Sequence, residues 1–251
     1  MINLAVLTPL YQLALPTLLL GSAFLVGGAA LGLSSVVGTT DMAAWIGLGV
    51  LSASLLVGSA TSVYDTLEAD RLTGVIEHSW TTPARREVYV IGGVLTGSMF
   101  ASASGLILLT LAMVVLRASF APGGVLASLP VLAVMVIANG GYCYLVAAAL
   151  LLMRRAGALV EVVTMFAVLF SGVSFPLQLL PGPARWPTYL LPDTWELDLT
   201  RHLTLHTRML LPPAAEAAGA CLTAGIWLAI GRRAFLRAER QLAVAGSLAQ
   251  F

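Results

Sequence analysis

Long apolar runs, each broken by a few polar, proline or glycine residues, set the pattern of this chain. They cover about Leu13–Val37, Met42–Tyr64, Val88–Leu116, Val125–Met153, Leu159–Ser174 and Ala214–Ile230. A bilayer core about 30 Å thick takes roughly 20 apolar residues per helix. Runs of this kind, without the alternating ten-residue segments of a barrel, predict helices. The expected fold is all-α: a polytopic membrane protein with six transmembrane helices. The break GTTD (Gly38–Asp41) offers a Thr or an Asp to cap the second helix. The break at Phe175–Pro213 is different, because prolines alternate there with short apolar clusters, and Trp186, Tyr189 and Trp195 suit a headgroup belt. Short re-entrant helices are expected over that stretch, packed on the outer mouth of the bundle. Non-helical backbone at membrane depth must be satisfied by protein or water.

Charge is gathered in one place. Met1–Tyr64 holds only Asp41, whereas LEADRLTGVIEHSWTTPARREV (Leu67–Val88) holds Glu68, Asp70, Arg71, Glu77, Arg85, Arg86 and Glu87. Leu72, Val75, Ile76 and Ser79/Trp80 recur at helical spacing, and Asp70, Thr73, Gly74 and Glu77 lie on other faces. The pattern predicts a short amphipathic helix over about Asp65–Thr82, lying across one face of the bundle. It ends before Pro83, since proline disfavours helical geometry in the residue ahead of it. Periodicity alone allows an ordinary solvated loop equally well.

Composition sharpens the picture. Of 251 residues, 59% are hydrophobic and 10% charged, against roughly 25% charged in soluble domains. All 13 basic residues are arginine. A P-loop needs GxxxxGK[ST], whose Lys contacts the phosphates, so a chain without lysine carries none. If ATP drives this protein, another polypeptide binds it. Arg71, Arg85, Arg86, Arg154, Arg155, Arg232, Arg233, Arg237 and Arg240 gather on one side of the membrane, against Arg117, Arg185, Arg201 and Arg208 on the other. That bias makes the first side cytoplasmic. Both termini, the charged segment and the tail 231–251 are then expected inside the cell, and 175–213 outside. Met1–Tyr11 lacks the basic start of a secretory signal. Cys143 and Cys221 fall within apolar runs and read as buried thiols.

The segment GVIEHSWTTPARREVYVIGG (Gly74–Gly93) resembles the cytoplasmic loop of ABC-2 type transporter permeases. Gly74, Glu77, Thr82, Pro83, Arg86 and Gly92 match that family's pattern, while Val75 replaces its usual Thr and Glu87 stands one place early. A second stretch, FSGVSFPLQLLPGPARWPTYLLPDTWELDLTRHLTL (Phe170–Leu205), is similar to the family's block after the fifth span, through Ser171, Gly172, Phe175, Pro176, Leu180, Pro181, Leu191, Pro192 and Arg201. The resemblance implies one ABC-2 type transmembrane domain over 1–251, pairing with a second permease chain, identical or homologous. It also implies two cytoplasmic P-loop ATPase subunits, which hold the ATP and Mg. No cofactor is expected in this chain, and no nucleic acid partner. By the same resemblance, Asp65–Thr82 is a coupling helix seated in the ATPase, with Glu68, Asp70, Thr73, Gly74, Glu77, His78, Thr82, Pro83 and Arg86 as the ATPase-coupling residues. Glu77 and Asp70 would touch the ATPase while the Leu72/Ile76 stripe stays against the permease.

Other residues carry weaker signals. Glu161 is the one carboxylate inside a predicted span, and intramembrane ionisable groups are functional candidates. With Asn139 and Phe175 it is a candidate gate or substrate path, though Glu161 could equally snorkel, or pair with Arg154. Gly93 and Gly97, four residues apart, favour close helix packing, as do Asn139, Gly140 and Gly141. His202, His206 and Asp198 share a helical face, but without HExxH they read as a solvated external helix and no metal is expected. The resemblance implies an exporter in the bacterial cell membrane moving a hydrophobic drug- or antibiotic-like compound; a lipid, glycolipid or polysaccharide is the alternative. A secondary transporter would need several intramembrane charges and repeats, and an intramembrane enzyme a convergent catalytic set.

Overall fold

The computed structural model describes residues 31–74, 86–115, 117–153 and 156–245. These residues form helices α1 (Leu31–Val37), α2 (Met42–Leu72), α3 (Glu87–Val115), α4 (Pro122–Leu152), α5 (Ala156–Phe170), α6 (Gly182–Arg185), α7 (Thr194–Leu205) and α8 (Pro213–Ala245), with 3₁₀ turns at Leu177–Leu179 and Trp186–Leu190. No strand occurs among them. Four helices, α2, α3, α4 and α8, are long and apolar enough to cross a membrane. Of the expected first span, only Leu31–Val37 is described. The expected fifth is α5, whose 15 residues rise about 22 Å.

Asp41 caps α2, as its place before the apolar run suggested: its Oδ1 accepts from the Ala44 N–H at 2.9 Å. Its Oδ2 accepts from the Ser119 N–H at 2.7 Å, which fixes the turn between α3 and α4 to the same end. The helix then runs without a break to Leu72. The predicted start of a separate amphipathic helix at Asp65 is therefore not a helix boundary; Asp65–Leu72 prolongs the second span. Likewise the described part of the expected tail, 231–245, is no separate element but the last stretch of α8. At about 1.5 Å per residue, the 31 residues of α2 and 33 of α8 extend roughly 46 and 50 Å, well beyond a 30 Å hydrocarbon core. Both project past it at the charged end.

Small residues let the helices meet at backbone distance. A Cβ at Gly97 of α3 would stand 2.7 Å from Ser59 Cα on α2, and one at Gly93 would stand 2.7 Å from Val63 Cγ2. Beside this crossing, Ser59 Oγ and Ser98 Oγ are 3.0 Å apart. Between α4 and α8, a Cβ at Gly141 would lie 2.7 Å from the Trp227 carbonyl oxygen, and one at Gly231 would overlap the Gly141 carbonyl. The packing expected of Gly93, Gly97 and Gly141 is thus realised. Toward the charged end, α2, α3, α4 and α8 share a core that includes Leu67, Val90, Tyr144, Phe235 and Leu242. Large apolar side chains such as Met99, Phe100, Leu126, Met165 and Leu222 stand exposed on the outside, the inverse of a soluble surface. Cys143 is buried as expected, but Cys221 is exposed on that outer face of α8.

α7 is wedged among α2, α4 and α8. Leu197 packs with Leu48, Leu55 and Met135, and Trp195 and Leu199 pack with Ala220. Trp195 is not at an interface: it is buried, stacked on Tyr189 at 4.8 Å, and donates Nε1–H to the Tyr189 carbonyl at 2.9 Å. Trp186 is the exposed member of that expected belt.

Candidate functional site

At the charged end, α2 finishes on Thr73, whose N–H and Oγ1 both bond the Ala69 carbonyl, at 3.0 and 2.8 Å. Gly74 follows with φ +71°, the left-handed stop that glycine adopts without penalty. Glu68 pairs with Arg71 at 3.7 Å, and Arg71 reaches the Met153 carbonyl at the end of α4. Where the chain re-enters α3, Arg86 pairs with Glu239 at 2.9 Å and Glu87 with Arg232 at 2.8 Å. These two bonds tie the start of α3 to the projecting part of α8 across about 150 residues of sequence. Of the expected coupling residues, Glu68, Asp70, Thr73 and Gly74 lie on or just past the projecting end of α2, and Arg86 faces α8. Glu77, His78, Thr82 and Pro83 lie outside the described residues. Leu72, expected against the bundle, is 78% exposed.

Between α2 and α5 lies a groove of about 720 Å³, the size of a drug-sized ligand site. Thr61, Tyr64 and Asp65 line it from α2, and Glu161, Val168 and Leu169 from α5. Its two carboxylates, Asp65 and Glu161, sit toward the charged end. Thr164, on the same face of α5, bonds the Tyr142 hydroxyl at 2.7 Å and so anchors α5 to α4. Glu161 therefore stands in a cavity wall. Asn139 and Phe175 do not line the groove; Asn139 is fully buried elsewhere, and Phe175 is half-buried just past Ser174, which ends the groove.

Asn139 belongs to a polar cluster that periodicity did not reveal. Asp193-Thr-Trp-Glu196 has capping-box spacing, yet the Asp193 side chain makes no cap bond and faces Asn139 of α4 and Ser52 of α2. Burial pushes the Asp193 carboxyl up to about 8, against the opposing pull of Asn139 and Ser52. Burial and the neighbouring Asp193 push Glu196 up to about 9. Both residues are no more than 1% exposed, so the neutral acid is the favoured form near pH 7. One turn on, Arg201 is buried and bonds three carbonyls: Gly172 at 2.8 Å, Val173 at 3.1 Å and Trp45 at 3.1 Å. Its guanidinium also lies 3.5 Å over the Trp45 ring. One side chain thus joins α7, the end of α5 and the start of α2, a fork no other residue supplies. The expectation of a solvated helix here is corrected as well. Eight residues of α7 are buried, Asp198 accepts from the Leu210 N–H at 3.1 Å, and His202 Nδ1 meets the Thr207 carbonyl at 2.7 Å.

A comparison with curated proteins gives no match. The family model described as ABC-2 type transporter matches residues 3–205, which take in α1 to α7, including the charged end of α2, the start of α3 and the α2–α5 groove. Together with its four membrane-length apolar helices, that match makes this multi-pass membrane protein a member of the ABC-2 type transporter family.

Proposed function

We propose that the chain is the permease subunit of an ABC exporter, with six membrane spans and its charged end in the cytoplasm. ATP is bound and hydrolysed with Mg by two separate P-loop ATPase subunits, and a second permease chain completes the pathway. The observation that carries this reading is the charged end: α2 and α8 project past bilayer length there, and two ion pairs bind α3 to α8. Residues 65–85 connect two spans at this end, so a push on them is delivered to α2, α3 and α8 together. Glu68, Asp70, Thr73, Gly74, Glu77, His78, Thr82, Pro83 and Arg86 form or brace the surface that receives it. A hydrophobic, drug-like compound moves along the α2–α5 groove past Glu161.

The segment between α5 and α8 is a re-entrant element that closes the outer mouth. Two contacts support its depth: the Leu190 carbonyl accepts from Trp227 Nε1 at 2.7 Å, and Asp193 faces Asn139. Both partners stand about four turns or deeper into their helices. The decisive experiment is co-purification with a cognate ATPase in lipid nanodiscs, comparing wild type with Glu77→Arg. The wild-type complex assembles and hydrolyses ATP in response to substrate, and the variant loses assembly or stimulation. Full coupling in Glu77→Arg would overturn the assignment of the charged segment.

A further inference from the structure

The groove between α2 and α5 also specifies what charge its occupant carries. Its walls are mainly aliphatic and hydroxyl-bearing, and no basic side chain lines it among the described residues. The ionisable groups it does present are Asp65, Glu161 and the Tyr64 hydroxyl. Every salt bridge among the described residues uses other carboxylates: Glu68, Glu87 and Glu239. Asp65 and Glu161 are both exposed and stand within two turns of the charged end of α2 and of α5. The rest of the groove runs on to Ser174, beyond the far end of α5. A cavity with two carboxylates at one end and an apolar body is complementary to an amphiphile with a positive head. Like charges held between low-dielectric walls focus the field on the space between them, and an anion there would meet two repulsions that no basic lining residue offsets among the described residues.

We infer that this groove selects lipophilic cations, taken head-first against Asp65 and Glu161 with the apolar body along α5. The inference rests on the permease reading for its role in transport, but the binding itself needs only this chain. The probes are tetraphenylphosphonium and tetraphenylborate, which share size and shape and differ in the sign of the charge. Binding is measured on the full chain in nanodiscs, with and without the ATPase. Tetraphenylphosphonium is expected to bind at least about tenfold more tightly than tetraphenylborate, a difference of one decade in Kd. Asp65→Asn and Glu161→Gln should each weaken the cation by about tenfold while leaving the anion no weaker, and Glu161→Asp should restore most of the affinity. Unchanged melting temperatures in these variants separate lost binding from lost folding. Equal affinity for the two ions, or cation binding indifferent to both substitutions, overturns the inference even when the ATPase complex is intact. Cation binding that depends on Glu161 in a chain that recruits no ATPase upholds the inference and refutes the permease reading instead.

Discussion

Gly231 and Gly225 lie on the same helix, six residues apart, and the structure assigns them opposite responses to one methyl group. At Gly225 a Cβ would meet nothing within 4 Å. At Gly231 it would overlap the Gly141 carbonyl oxygen on α4 and stand 3.0 Å from Tyr144 Cβ. The obstacle is backbone, so no rotamer change relieves it. Carbon needs about 3.5 Å of separation from its neighbours, and α8 must move off α4 by roughly 1 Å to provide it. A gap of that width forfeits a quarter to a half of the dispersion energy along the interface. That interface carries Tyr142 against Trp227 and Tyr144 against Phe235, at centroid distances of 5.9 and 5.6 Å. Overpacking of this kind costs about 1–3 kcal/mol, and the immobile backbone places Gly231→Ala at the upper end, near 3 kcal/mol. Gly225→Ala instead gains up to about 1 kcal/mol of helix propensity. Thermal unfolding in nanodiscs, followed by tryptophan fluorescence, should put Gly231→Ala roughly 6–12 °C below wild type and Gly225→Ala level with it or above. A Gly231→Ala protein as stable as Gly225→Ala would refute the backbone-to-backbone contact of α4 and α8.

Two further outcomes follow from the far end of the bundle. Arg201→Lys keeps the charge but cannot span the Gly172, Val173 and Trp45 carbonyls at once. Buried acceptors left unpaired cost about 1–3 kcal/mol each, so it should melt nearly as early as Arg201→Ala; wild-type stability in the lysine variant would sink the stapling role. For Asp193, the folded carboxyl keeps its proton up to about pH 8, while the unfolded one releases it near its ordinary value of 3.8. Folding therefore takes up a proton between those limits. The stability present below about pH 4 falls as pH rises, by up to about 1.4 kcal/mol per pH unit for this group, until the loss is complete above about pH 8. Glu196 acts in the same sense up to about pH 9. Melting temperatures taken from pH 5 to pH 8 should fall less steeply in Asp193→Asn than in wild type, and parallel slopes would show that Asp193 is not buried as an acid.

The sequence by itself determined the membrane class, the places where the four membrane-length apolar helices begin, and the exclusion of a P-loop. Each depends on local composition: run length against bilayer thickness, and the absence of one residue type. It also placed the Asp41 cap and the small-residue packing faces, because capping and close approach have short-range signatures. Tertiary structure decided the rest. The polar stretch Asp65–Leu72 continues α2 because a helix leaving the membrane keeps its hydrogen bonds in water, so nothing in composition marks whether it bends there. The partners of Arg86 and Glu87 lie about 150 residues away on α8, and only packing brings them together. The same holds for the groove, whose carboxylates come from α2 and α5. Asp193, Glu196 and Arg201 looked like an external helix's polar residues. They are buried because α7 is held between α2, α4 and α8, and burial is a property of neighbours that no single stretch of sequence contains.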